Sequence, residues 1–320
     1  RRIYYWLTKQ MAICKEKIMP KVVFLILNYN SLHDLILCEE SIAKNCANYH
    51  IVVVDNGSKQ VEVDELEAFC DEKKASVTLI KSSQNLGFAR GNNLGFRYIR
   101  EHIQCKYIAM INSDTLIVDR TFCAKIDEAF NKYHFAVLGP DVLPAHSNPM
   151  VDEPDSKEKV LQQIAKTKKQ IKIIKTPGVN ILYLCMNRLK RKFAIKRAAL
   201  ISEPVLDCEL HGCFLVFSNL YTLDGLNDET FLYGEEDLLA KACRDNNLTL
   251  LYYPQLKIIH NESVATKKSM PNLIKRKLFF LVNRLDSYYV LLKEYENEGY
   301  GKIPFANKDR TGMGLKDDCK

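Results

Sequence analysis

The chain has 320 residues, 47% of them hydrophobic and 27% charged. That composition excludes disorder, collagen and low-complexity repeats, and leaves about two domains or one large α/β domain with additions. The net charge of +7 is concentrated: Lys157–Arg197 holds thirteen Lys or Arg against the single acid Glu158, so the rest of the chain is net acidic.

In chain order, residues 1–20 read as a basic amphipathic segment ending at Pro20. Val22–Leu27 is a continuous apolar run rich in β-branched residues, the pattern of a strand buried on both faces. Ser31 is placed to cap a helix whose apolar positions Leu32, Leu35, Ile36 and Ile42 fit a 3.6-residue period. Ile51–Val54 is a second buried strand, ending in Asp55-Asn56-Gly57-Ser58. A helix over Val61–Lys73, a strand over Val77–Ile80, a helix over Asn92–Glu101 and a strand over Tyr107–Ile111 follow. The last of these ends in Asn112-Ser113-Asp114. Thr121–Lys132 reads as helix and Phe135–Leu138 as strand. Further on, Leu238–Cys243 reads as helix, Leu256–Ile259 as strand, and Leu273–Tyr295 as an amphipathic terminal helix.

Strands alternating with helices predict a doubly wound, mostly parallel sheet flanked by helices, with a helical C-terminal extension. Ligands of such sheets bind beyond the carboxyl ends of the strands. Polar clusters fall on three of those ends: Asn28-Tyr29-Asn30, Asp55–Ser58 and Asn112–Asp114. Turn chemistry explains any one cluster but not the coincidence of three. Neither a Gly-x-Gly-x-x-Gly after the first strand nor a Gly-Lys-Ser/Thr is present, so a nucleotide would be held by side chains rather than a glycine cradle. The eleven cysteines are scattered without Cys-x-x-Cys spacing. They read as reduced thiols in a reducing compartment, not as a zinc knuckle or redox motif. The apolar runs stop far short of the roughly 18 residues of a membrane span and no stretch has a signal-peptide layout. The sequence therefore predicts a cytoplasmic protein.

The ordered set Leu27-Asn28-Tyr29-Asn30, Val54–Ser58, Asn85-Leu86-Gly87-Phe88-Ala89-Arg90-Gly91-Asn92-Asn93, Ile111–Thr115, Phe231–Asp237 and Ile259-His260 resembles family-2 glycosyltransferases of the GT-A fold, most closely their rhamnosyltransferase-like branch. The resemblance runs from about Val22 to Ser263. It implies an inverting, metal-dependent enzyme that moves one sugar from a nucleotide-sugar donor (a UDP- or dTDP-sugar, of rhamnose or a hexose) to a glycan or lipid-linked acceptor, as in surface polysaccharide or capsule biosynthesis. It also divides the chain into a donor half (21–145), a basic variable insertion (146–205), an acceptor and catalytic half (206–265) and a helical extension and tail (266–320).

By the same resemblance, Asp114 takes the place of the last acid of an Asp-x-Asp metal motif whose first position is Asn112 here. His260 takes the place of the distal histidine that meets the metal, and Mg²⁺ or Mn²⁺ suits such ligands. Asp55 stands where the family contacts the base or ribose, framed by Asn28, Asn30 and Asn56. Asn85, Gly87, Arg90 and Asn92, the latter two expected on the loop after the third strand, and Asn112 and Ser113 complete the donor site. His211 and Gly212 fall at the acceptor approach. Displacement at an anomeric carbon needs one carboxylate to take the acceptor's proton. Glu236 aligns with the family's base, lengthened by one methylene from the usual Asp, and Glu235 and Asp237 are its alternatives.

The basic block, with Ile164, Ile171, Ile173, Ile174, Ile181, Leu182 and Leu184 interleaved among its charges, reads as a solvated insertion or as a surface for anionic lipid at the inner membrane face. Core packing is the default for the terminal helix, with membrane contact or an oligomer interface as the other uses of its stripe. A catalytically inactive scaffold, a basic nucleic-acid-binding protein and a nucleotidyltransferase are the rival readings, the last lacking a Gly-rich activating loop in Leu27–Ser31. No base-stacking aromatic set on a basic face supports nucleic acid, and the intact Asp114, Glu236 and His260 speak against an inactive fold.

Overall fold

A computed structural model describes residues 20–150, 155–186, 201–261 and 272–297. The basic N-terminal segment expected over 1–20, all but its last residue, and the basic run over 188–197 lie outside the described residues. Nine strands form one sheet: β1 (Val22–Asn28), β2 (Tyr49–Asn56), β3 (Val77–Ser82), β4 (Tyr107–Asn112), β5 (Thr115–Ile117), β6 (Val137–Leu143), β7 (Val205–Leu206), β8 (Phe214–Ser218) and β9 (Leu250–His260). The helices are α1 (Leu32–Asn45), α2 (Gln60–Glu72), α3 (Phe88–His102), α4 (Phe122–Tyr133), α5 (Lys157–Lys175), α6 (Glu235–Asp245) and α7 (Leu273–Glu296).

The strand order is β3-β2-β1-β4-β8-β6-β9-β5, with β7 on β9. The first four strands are parallel. Beyond β4 the sheet is mixed, because β8 runs antiparallel to both β4 and β6 and β5 runs antiparallel to β9. Both halves expected from the sequence thus share one sheet.

The strand sequences explain the layering. Val22, Phe24 and Ile26 of β1 pack with α1, α2 and α4 on one face, while Val23 and Leu25 pack with α3 and α6 on the other. That is the alternation of a pleated strand, and covering both faces is what demands an unbroken apolar run. The basic block is not a solvated insertion throughout. Its first part is α5, whose Val160, Ile164, Thr167 and Ile174 are buried, and Val160 and Ile164 join Leu238, Tyr288 and Leu291 in a satellite cluster with α6 and α7. Among the described residues no helix is long and apolar enough to cross a membrane, and the nine described cysteines are free thiols.

Candidate active site

The parallel register sets the ends of β1, β2 and β4 side by side, with Asn28 opposite Asp55 and Leu27 opposite Asn112. Asn28 and Asp55 are buried. Asn28 Nδ2 donates to Asp55 Oδ1 at 3.2 Å, and Asp55 Oδ2 accepts from the Ser58 amide at 3.1 Å. Each carboxylate oxygen keeps a further lone pair for a ligand. Asn30, with φ 51°, accepts the Lys59 amide on its side-chain oxygen at 3.0 Å.

Ser31 does not cap α1. Its hydroxyl donates to Asn28 Oδ1 and meets Ser113 Oγ, both at 3.0 Å. The amide at the start of α1, that of Leu32, is taken instead by Glu62 of α2 at 2.7 Å. The serine is more useful bridging two strand ends that would otherwise bury unpaired polar atoms.

Asn56, Asn85 and Gly87 are tied to one another: Asn56 Nδ2 reaches Asn85 Oδ1 at 3.1 Å and the Gly87 carbonyl at 3.0 Å, and Asn85 Oδ1 accepts the Gly87 amide at 2.9 Å. They shape the loop after β3. Arg90 and Asn92, expected on that loop, lie inside α3, which begins at Phe88. Gly91 and Gly95 let this helix sit directly on the sheet, where a methyl group would strike Leu27, Leu25 or Val54. Arg90 Nε donates to the Asp228 carbonyl at 2.8 Å. Asn92 is buried and bonds back to the Phe88 carbonyl at 3.0 Å, leaving its Oδ1 without a partner.

Asn93, part of the Asn85–Asn93 motif but given no role by it, clasps Leu226 through both its carbonyl and its amide, each at 2.8 Å. With Phe88 N bonded to the Phe231 carbonyl at 2.8 Å, the N-terminal half of α3 fixes the segment leading into Phe231–Asp237. The signal was there, since a run of polar residues beginning a helix has no other obvious use.

Asp114 lies between β4 and β5, and His260 closes β9 opposite Thr115. This pairing brings Asp114 Oδ1 to 3.1 Å from His260 Nε2. His260 is 8% exposed and its Nδ1 is buried without a hydrogen-bond partner. The His211 ring centroid stands 5.7 Å from that of His260. The His211 amide is held by Asn148 Oδ1 at 2.7 Å.

The next residue, Gly212, donates its amide to Glu236 Oε1 at 3.2 Å. A Cβ there would stand 2.7 Å from the same oxygen, so only glycine leaves room for the carboxylate. A chain of contacts thus joins Asp114, His260, His211, Gly212 and Glu236 at one end of the sheet.

The three acids of α6 have three different environments. Asp237 is buried and held by both Arg284 guanidinium nitrogens, at 2.6 and 3.3 Å, a geometry that commits it to anchoring α7. Glu235 is 5% exposed and accepts a long bond from Thr230 Oγ1 at 3.4 Å. Burial, reinforced by the adjacent charge of Glu236, pushes its carboxyl up to about 8. A crevice walled by Phe88, Met110, Leu215, Leu226 and Leu239 lies against Glu235 and Glu236 and supplies the apolar surroundings. Glu236 is the partly exposed member. Gly234, at φ 104°, and Tyr233, at φ 68°, turn the chain into α6, and Ser287 of α7 bonds the Tyr233 carbonyl. A larger depression, of about 440 Å³, lies at the other end of the sheet around Arg100, Lys106 and Tyr221, and takes no part in this arrangement.

Comparison with known proteins agrees with this architecture. The chain is 21% identical over 262 residues to the low-salt glycan biosynthesis hexosyltransferase Agl10 of Haloferax volcanii, spanning 81% of this chain and 73% of that protein. It shares its fold with GalNAc-T7, solved with UDP, GalNAc and Mn²⁺, at a TM-score of 0.52 and 10% identity over 77% of this chain. The matched region is 44% of GalNAc-T7, less than half its length. The mannosyltransferase PcManGT of Pyrobaculum calidifontis, solved with GDP-Man and Mn²⁺, matches more loosely, with a TM-score of 0.47 at 14% identity over 95% of this chain and 84% of that one. The model of glycosyl transferase family 2 matches residues 23–187, more than half of the sequence, and the chain belongs to that family: it is a glycosyltransferase.

Proposed function

We propose that the protein is an inverting, divalent-metal-dependent glycosyltransferase that moves a single hexose or rhamnose from a UDP- or dTDP-sugar to a glycan or lipid-linked acceptor of surface polysaccharide biosynthesis. One observation carries the reading. The Asp114–His260 pair and the Glu236 carboxylate are linked through His211 and Gly212 at the strand ends where the sheet binds ligands. The glycan-biosynthesis hexosyltransferase relative supports the substrate class, and assignment to the rhamnosyltransferase-like branch rests on the motifs alone.

The residues fit a hard divalent ion. Two donors on one octahedral Mg²⁺ or Mn²⁺, each bonded at roughly 2.1 Å, lie about 3 Å apart, and Asp114 Oδ1 and His260 Nε2 are 3.1 Å apart. When bound, such an ion neutralises the charge that develops on a diphosphate leaving group. Asn28, Asn30 and Asp55 hold the nucleoside, with Ser113 at the β4 end. Glu236 takes the proton of the acceptor hydroxyl as the bond to the anomeric carbon forms on the face opposite the departing diphosphate. The Gly212 amide aims that carboxylate. Glu235, whose carboxyl burial pushes up to about 8, is held toward its protonated form, and Glu236 is the partly exposed member of the pair.

The test is paired. Asp114→Ala and Glu236→Gln each abolish transfer, while Glu236→Gln retains UDP binding with Mn²⁺ in calorimetry. Unaltered turnover in Glu236→Gln removes it as the base.

The exposed lysines of α5 and the exposed Val179, Ile181, Leu182 and Met186 beyond it support a peripheral position on an anionic membrane face, where a lipid-linked acceptor would be found.

A further inference from the structure

The Asp114–His260 pair accounts for one edge of the His260 ring. The other edge is buried, and a chemically different set of side chains stands close to the ring. One ligand atom from each of His211, Cys213 and His260 lies within 4.8 Å of the other two. Cys213 is 1% exposed and His260 8%. Nε2 of His260 is paired with Asp114, and Nδ1, the atom that carries the lone pair in the neutral tautomer donating from Nε2, is buried with no hydrogen-bond partner. A bare nitrogen lone pair in a dry site is costly unless something accepts it.

One ring nitrogen of His211 is already engaged in the same place. Its Nδ1 accepts the Cys213 amide at 3.1 Å, so this nitrogen is turned toward the cysteine. The backbone beneath is fixed at both ends: Asn148 holds the His211 amide, and the Cys213 carbonyl accepts the Asn112 amide at 2.9 Å. The donors therefore sit on a rigid turn rather than a free loop.

Two imidazole nitrogens and a thiolate do not suit Mg²⁺ or Mn²⁺. They match the donor types of a tetrahedral Zn²⁺ site. The carboxylate behind His260 is the usual outer partner of a zinc-bound histidine, fixing the tautomer and the ring direction. We propose that His211, Cys213 and His260 form a second, soft-metal site that takes Zn²⁺ or Co²⁺, with Asp114 as the carboxylate orienting His260.

Binding converts the Cys213 thiol to a thiolate bonded to the ion and releases one proton to solvent. Because one neutral imidazole serves one ion, occupation of this site withdraws His260 from the hard-ion pair with Asp114. Zn²⁺ would then oppose Mn²⁺ or Mg²⁺ rather than replace it. This last consequence rests on the transferase reading above; the existence of the site does not.

The experiment is titration of the metal-free protein with Co²⁺, read by absorption. A thiolate-to-cobalt charge-transfer band in the near ultraviolet, with intense tetrahedral bands in the visible, is expected to saturate at one ion per chain. Cys213→Ser should abolish the charge-transfer band and weaken Co²⁺ binding by at least about tenfold, and Asp114→Asn should weaken it about 10- to 100-fold with the band retained. Mn²⁺ affinity should be unchanged in Cys213→Ser. Absence of the band in the unmodified protein, or its persistence in Cys213→Ser, overturns the proposal. If Cys213→Ser does not fold, His211→Ala carries the test: at least about tenfold weaker Co²⁺ binding supports the site, and unchanged binding refutes it. Loss of Mn²⁺-supported turnover is read separately, so failure of the transferase reading leaves the spectroscopic result standing.

Discussion

Glu235 and Glu236 are adjacent in sequence, yet only one faces the open side of the site. The Gly212 amide and the space left by its missing side chain define where the Glu236 carboxylate sits. In Gly212→Ala the new methyl meets the far end of a flexible side chain, which can swing away at little cost in stability. The carboxylate leaves its place, however, and a shift of about 1 Å in a reacting group costs on the order of 100-fold in rate. The expected outcome is a near-normal melting temperature with turnover down about 100-fold.

For Glu235 the sign follows from a carboxyl held up at about 8. The folded chain prefers its protonated form, so stability is full below the ordinary carboxylate range and is lost as pH rises through about 8. Glu235→Gln has no such proton to lose. Its melting temperature should exceed that of the unmodified protein by about 3 °C or more at pH 9, with the difference vanishing near pH 4. Differential scanning calorimetry across that range decides it.

At the scale of elements, α7 braces α6, the helix that carries Glu236. It reaches α6 through Arg284 and Asp237, through Ser287 on the turn before Gly234, and through Tyr288 and Leu291 packed with Leu238. Arg284→Met withdraws the guanidinium from a carboxylate that is 2% exposed at its side chain. It should destabilise the fold by about 3 kcal/mol or more in denaturant unfolding. The double variant with Asp237→Leu should recover most of that loss, which a purely steric role of Arg284 would not allow.

The elements themselves were largely legible, because β1, β2 and β4 are buried on both faces and α1, α4 and α7 carry clear stripes. The beginning of α3 was not, since Gly91 and a run of polar residues mimic a loop. They form a helix because Asn93 and the Phe88 amide have long-range partners that no local pattern displays. The three-residue β5 escaped notice for the same reason: its pairing with β9 is what makes it a strand. Arg284 was invisible as the partner of Asp237, being 47 residues away on another helix.

Over the whole molecule, positive charge is concentrated on α5. Its seven lysines are exposed on a helix whose buried face packs with α6 and α7. Reversing the charges of Lys166, Lys168, Lys169, Lys172 and Lys175 should leave folding intact and reduce sedimentation with phosphatidylserine vesicles at low salt, each lysine near the surface contributing about 1 kcal/mol. Binding equal to that of the unmodified protein would remove α5 as a membrane contact.

The positions of Asn28, Asp55 and Asn112 at adjoining strand ends could be anticipated from the alternation of helix and strand. The approach of His211, Cys213 and His260 could not, because it depends on the mixed half of the sheet, where strand order departs from chain order. That departure also separates the two residues of the Asp114–His260 pair in the order of synthesis. Asp114 emerges early, but its imidazole partner lies 146 residues later, on the strand that the ribosome releases after every other strand of the sheet. Under the proposed function, a chain still being made carries the strand ends meant for the nucleoside before it carries the second residue of the cation seat.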